Sequence, residues 1–156
     1  MLKRAAACLL AAGVLIAVAG CGTEKNDLAP AACLVGSEGY LRALERAPGE
    51  VRLGGTTPIS ACLVPEQEAG QLANIGQEMV IAATRLNAEA RREPVGPATL
   101  QLGYLSGAVA KGADPIHTDL VRRLNSSARF TLSGDTPPAS FERAFGRGYA
   151  AGHSSG

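Results

Sequence analysis

The side chains best equipped for chemistry are four cysteines, Cys8, Cys21, Cys33 and Cys62, and two histidines, His117 and His153. A structural zinc site takes four Cys or His ligands in closely spaced pairs. There is no C-x-x-C pair and no paired histidine, so the sequence offers neither a metal set nor the close dithiol of a redox site. His117 lies between Asp114 and Asp119 and is the one candidate for acid–base work. Its plainer alternative is a polar residue in the first turn of a helix capped by Asp114. No G-x-S-x-G elbow, H-E-x-x-H zinc helix, Walker loop or dinucleotide glycine fingerprint occurs. The run "RLGGTT" is glycine-rich but lacks the lysine and the following helix of a phosphate cradle. The expectation is a non-enzyme with no catalytic, cofactor-binding or metal-binding residues, and an enzyme using His117 ranks last among the alternatives.

The compartment decides what the cysteines do. Lys3 and Arg4 precede an apolar stretch from Ala5 to Val18, followed by the small residues Ala19 and Gly20 and then Cys21. This is the three-part order of a secretory signal, and the stretch falls short of the roughly 20 apolar residues that span a bilayer. The residues "VAGC" at Val18 to Cys21 resemble the lipobox of bacterial lipoproteins, an aliphatic residue and two small ones before a cysteine. The resemblance implies that Cys21 receives a diacylglycerol, that the signal is cut before it, and that Cys21 becomes the new N-terminus. Acyl chains would then hold the chain to the extracytoplasmic face of a bacterial membrane without crossing it. An ordinary secretory signal cut after Gly20 would instead leave Cys21 as a free thiol.

With Cys8 removed and Cys21 acylated, Cys33 and Cys62 are the remaining thiols, and two cysteines in an oxidising compartment are expected to pair. Each lies in a copy of "ACLV", at Ala32 to Val35 and at Ala61 to Val64, which then diverge, so the match is two short apolar segments stapled together and not a repeat.

The elements follow from periodicity. Ser37 is expected to cap a short helix over 37–47, with Leu41 and Leu44 on its apolar side and Glu38 and Arg42 as an i,i+4 pair. "VRLGGTTPIS" predicts a brief extended piece or hairpin. The longest helix is expected over 66–92, with Leu72, Ile75, Met79, Ala82 and Leu86 at helical spacing. Residues 98–111 are apolar on nearly every side, which predicts a buried helix, and Gly103 and Gly107 form a G-x-x-x-G suited to close helix packing. A fourth helix opens at Asp114 and Pro115 with Ile116, Leu120, Leu124 and Ala128 in line. A weaker last helix presents Phe141, Phe145 and Tyr149, with Gly146 and Gly148 arguing against its second half and "AGHSSG" as a frayed tail.

The expected organisation is a signal peptide over 1–20, a lipidated spacer over 21–32, an all-α domain of four or five helices over 33–150 and a disordered tail over 151–156. Without Lys3 and Arg4, the 15 basic residues fall to 13 against 14 acidic, and this near-neutral balance excludes a nucleic-acid partner as the expectation. The expected partners are the membrane, through the acyl chains on Cys21, and another envelope protein. The group Arg122, Arg123, Arg129, Arg143 and Arg147 is a candidate face for anions or an acidic partner, or a solvated face. A small apolar ligand held among the Ala/Gly-rich helices is the second functional reading.

Overall fold

The structure is a computed structural model describing residues 28–130 and 136–156. Five α-helices carry the fold: α1 (Gly36–Leu44), α2 (Ala69–Arg92), α3 (Pro97–Gly112), α4 (Thr118–Ser127) and α5 (Ala139–Ser155). The only β contact among the described residues is one antiparallel bridge, Leu53 to Thr57, closed over Gly54 and Gly55. Both glycines have positive φ, +57° and +83°, which residues with a Cβ adopt at a cost. The domain is all-α, with the hairpin reduced to a single turn.

α2 forms where its periodicity requires. Ile75, Met79, Ala82 and Leu86 are buried on one side, while Asn74, Arg85, Glu89 and Arg92 are exposed. It starts three residues later than expected because Glu68 is its cap, accepting from Gly70 N–H at 2.8 Å and Gln71 N–H at 2.6 Å. Those two bonds favour the ionised carboxylate and lower its pKa. At α1 the expected cap is corrected. Ser37 lies inside the first turn, and its N–H is satisfied from across the core by Glu78 of α2 at 2.7 Å. The expected Glu38–Arg42 pair is likewise replaced, since Glu38 pairs with Arg85 of α2.

α3 is the central rod, buried continuously from Leu102 to Val109. Its closest neighbour is α5, which runs parallel to it. A Cβ on Gly103 would overlap the backbone of Phe145, and one on Gly107 that of Tyr149; a Cβ on Gly148 would overlap Leu100, and one on Gly152 would overlap Tyr104. The glycines of both helices thus bring backbone against backbone, the packing use of G-x-x-x-G. This overturns the expectation of a frayed C-terminal tail. Residues 151–155 continue α5, with Gly152 buried on α3 and Ser155 in the last turn. The spacer boundary also shifts. Ala29 is buried, its N–H donates to Gln71 Oε1 at 2.7 Å, and Ala31–Leu34 form a 3₁₀ turn, so residues 29–32 belong to the domain.

Cys33 and Cys62 form a disulfide with Cα atoms 5.5 Å apart, joining the turn before α1 to the turn before α2. Closing a separation of 29 residues stabilises the fold by roughly 3 to 4 kcal/mol through loop-closure entropy. Both cysteine carbonyls are taken by buried side chains, Cys33 O by the Tyr40 hydroxyl at 2.9 Å and Cys62 O by Gln67 Nε2 at 3.2 Å. Burial, with the nearby Glu78 charge second, keeps the Tyr40 hydroxyl protonated far above its usual range.

Gly107→Ala is expected to destabilise the protein by about 3 kcal/mol, because the added methyl meets rigid backbone on α5. Gly146→Ala, on α5 and with nothing within 4 Å of the new Cβ, is expected to stabilise by roughly 0.5–1 kcal/mol through helix propensity. Urea unfolding of the two variants against the parent checks both signs.

Candidate functional site

Cys21, the expected lipidation residue, lies outside the described residues. Cys33 and Cys62 are paired, as expected. His117 is the third residue after the cap Asp114, as its plainer reading has it, but it is buried. The turn before α4 is 3₁₀ over Pro115–His117, and its tighter winding rotates the sequence. Ile116, expected on the buried stripe, is 48% exposed, and His117 has no exposed surface at all. Leu120, Leu124 and Ala128 keep their expected buried places.

Both ring nitrogens of His117 are engaged. Nδ1 accepts from the backbone N–H of Asp114 at 2.9 Å, which leaves the proton on Nε2, 3.3 Å from Gln67 Oε1. Gln67 in turn donates to Cys62 O, and its amide lies 3.5 Å from Gln71 Oε1, which accepts from Ala29 N–H. A line of polar groups therefore runs from the start of α4, past the disulfide, to Ala29, the first buried residue among those described. The arrangement fixes three chain entries relative to one another. Its contact with Asp114 is to the backbone, so the flanking carboxylate that the sequence placed beside the ring does not orient it as in a catalytic dyad. Burial lowers the His117 pKa, and the Asp114 carboxylate opposes that shift only in part.

Arg122 pairs with Asp119 on its own helix, while Arg143 and Arg147 are exposed on α5. The carbonyl of Arg129 accepts from Asn87 Nδ2 at 2.7 Å and from Arg91 Nη2 at 2.9 Å, closing the end of α4 onto α2. The aromatic side of α5 does form as expected. Phe141, Phe145, Tyr149 and His153 stack in sequence with centroids 5.8, 6.5 and 6.1 Å apart, and Phe130 meets Phe141 at 4.6 Å.

A different set of arginines converges. Arg42 from α1, Arg46 from the turn after it and Arg52 from the hairpin line a cleft of about 380 Å³ together with Val35, Ala43, Leu53, Gly54 and Gly55. Arg52 Nη1 donates to Val51 O at 3.2 Å and to Ser155 O at 2.9 Å, and Nη2 meets Glu50 at 2.6 Å. The sequence pairing of Glu38 with Arg42 concealed this cleft; the i,i+4 spacing of Arg42 and Arg46 was the available signal. Among the described residues no group of three or more His, Cys, Asp or Glu side chains is placed to hold a metal ion, and no helix is long and apolar enough to cross a membrane.

The buried, neutral His117 gives a signed pH dependence. Its folded pKa is below the ordinary 6.5, so the unfolded chain takes up the proton first as pH falls. Stability from this group is complete above about pH 6.5 and declines as pH drops from there toward the folded pKa. Urea midpoints measured from pH 7.5 to 5 are expected to fall for the parent and to fall less for His117→Gln, which is itself less stable at pH 7.5 by about 1–3 kcal/mol through loss of the ring's hydrogen bonds.

Comparison of the chain with protein-family models, with curated proteins and with solved structures gives no match.

Proposed function

We propose that the chain is a lipid-anchored protein of the extracytoplasmic face of a bacterial membrane, whose helical domain is non-catalytic and binds another envelope component or contributes structurally at the membrane surface. The observation that carries this reading is the sequence "VAGC" at Val18 to Cys21, behind a basic start and an apolar stretch. Two features of the domain support it. The Cys33–Cys62 disulfide suits an oxidising compartment, where such bonds persist. The domain also begins close to the anchor. From Cys21 to Leu28 a fully extended chain spans at most roughly 25 Å, which keeps the domain within about its own diameter of the lipid headgroups. Leu28 and Leu34, 71% and 51% exposed, stand on that first segment.

A groove among the described residues favours the small-ligand reading. This groove, of about 220 Å³ beside the start of α2, is lined by Leu72, Gly76, Ile116 and Leu120. The glycines of α3 offer no such space, because the backbone of α5 fills it. The anchored interaction domain remains the first reading.

Intact mass of the protein extracted from its own membrane in mild detergent checks the proposal. The expected mass is that of the chain from Cys21 plus acyl groups, less two hydrogens, with no thiol alkylated until reductant is added. Cys21→Ser is expected to leave an unacylated chain that no longer sediments with the membrane. An unmodified Cys21 in the parent would overturn the anchor, and two freely alkylated thiols would overturn the oxidising compartment.

A further inference from the structure

We propose that the cleft between the second half of α1 and the Gly54–Gly55 turn is a binding site for a phosphate group, gripped by the guanidinium groups of Arg42, Arg46 and Arg52. Three cations line this cleft and no carboxylate does. The charge is left over by the fold. Glu38, the natural i,i+4 partner of Arg42, is drawn away to Arg85, and among the described residues neither Arg42 nor Arg46 has a carboxylate within ion-pair distance. Arg42 lies in the last turn of α1 and Arg46 in the turn that follows it. A helix C-terminus accounts for one cation at the end of α1, through its dipole. It does not account for Arg52, which reaches the cleft from a different segment.

The site is built in advance of any ligand. Arg52 is held by the carbonyls of Val51 and Ser155, so its guanidinium is fixed, while Arg42 and Arg46 are exposed. Gly54 and Gly55 follow one another with positive φ, and their N–H groups have no partner among the described residues. Successive free N–H groups in such a turn form a concavity that suits an anion. A Cβ at Gly55 would meet nothing within 4 Å, so that side of the turn is open. Charge and geometry select the ligand class. Three guanidinium groups less the Glu50 carboxylate on Arg52 leave two positive charges, which a dianionic phosphate monoester balances and a single carboxylate does not. The planar forks of arginine match phosphate oxygens in bidentate fashion.

The same chemistry has two sources, a phosphorylated solute or the headgroup of an anionic phospholipid. Val35, 40% exposed, lines the cleft and adjoins exposed Leu34, so an apolar tail has a path beside the phosphate. The headgroup source rests on the membrane-anchored reading above; the phosphate site itself does not.

The test is calorimetric titration of the full chain, purified in neutral detergent, with inorganic phosphate at constant ionic strength. Saturable binding at one site is expected. Arg42→Gln with Arg46→Gln is expected to weaken it at least about tenfold, and Glu50→Gln to tighten it about threefold by releasing Arg52. Arg42 and Arg46 are exposed, and an unchanged melting temperature of the double variant in the absence of phosphate shows that it folds. In a second arm the chain is reconstituted in phosphatidylcholine vesicles with or without phosphatidic acid, and modification of Arg42 and Arg46 by phenylglyoxal is mapped by mass. Protection by phosphatidic acid assigns the site to a lipid headgroup; protection by soluble phosphate alone assigns it to a solute. No saturable binding in the first arm together with no protection in the second overturns the site, as does equal binding by the double variant. Either outcome leaves the acyl mass on Cys21 unaltered, so failure here is separate from failure of the anchor.

Discussion

The contact on which most of the domain depends is the one between the backbones of α3 and α5. At Gly103, Gly107, Gly148 and Gly152 no side chain stands between the two helices. Dispersion attraction gains from such proximity, because every backbone atom on the facing strip has a neighbour at van der Waals distance. Other features follow from it. With α5 seated, Ser155 O lies where Arg52 can donate to it and Ser154 O where Lys111 Nζ can, at 2.9 and 2.8 Å. The hairpin is thereby pinned to the end of α5, and the ring of Tyr104, fully buried, has its hydroxyl 3.3 Å from Ser155 Oγ. Gly112 extends the same economy of space to the end of α3, where the backbone of Ser60 takes the room a side chain would need.

A second organising theme is that polar groups in this core join segments far apart in sequence. Asn87 donates both amide hydrogens to the end of α4, at Ser127 O and Arg129 O. Tyr40, Gln67 and His117 hold the turns that flank the disulfide. A buried hydrogen bond adds modest net stability, but an unmade one is costly, so these groups act chiefly by penalising other arrangements of the same turns. The disulfide and this network act on the same residues by different means, one restricting the unfolded chain and the other selecting among compact folds.

Much of the fold was legible because its signals are local. The stripe from Ile75 to Leu86 needs only a 3.6-residue period, and the apolar run of α3 needs only burial on all sides. What escaped reading depended on partners distant in sequence. Ser37 looks like a cap, but Glu78 supplies the acceptor from α2. Glu38 and Arg42 have helix-pair spacing, but Arg85 competes for the carboxylate, and that competition is what gathers charge in the cleft. His117 and Ile116 exchange roles because a 3₁₀ turn shifts the phase of the helix by its first three residues. The end of α5 was misjudged for a related reason. Helix propensity counts glycine as a cost of about 1 kcal/mol, and only the presence of α3 turns Gly148 and Gly152 into contact points.

The parallel course of α3 and α5 has a consequence for how the chain reaches this state. Parallel neighbours cannot zip together from a short turn as a helical hairpin does; α4 and its flanking loops must be traversed before Gly103 finds Phe145. The pairing with the most backbone in contact is thus a late, long-range event, whose loop-closure entropy is spent before any contact rewards it. Until it forms, one side of the most apolar helix faces water. Rapid collapse of α1 and α2 around the disulfide and a slower docking of α5 would therefore appear as separate kinetic phases, with the nascent chain most prone to self-association in the interval between them.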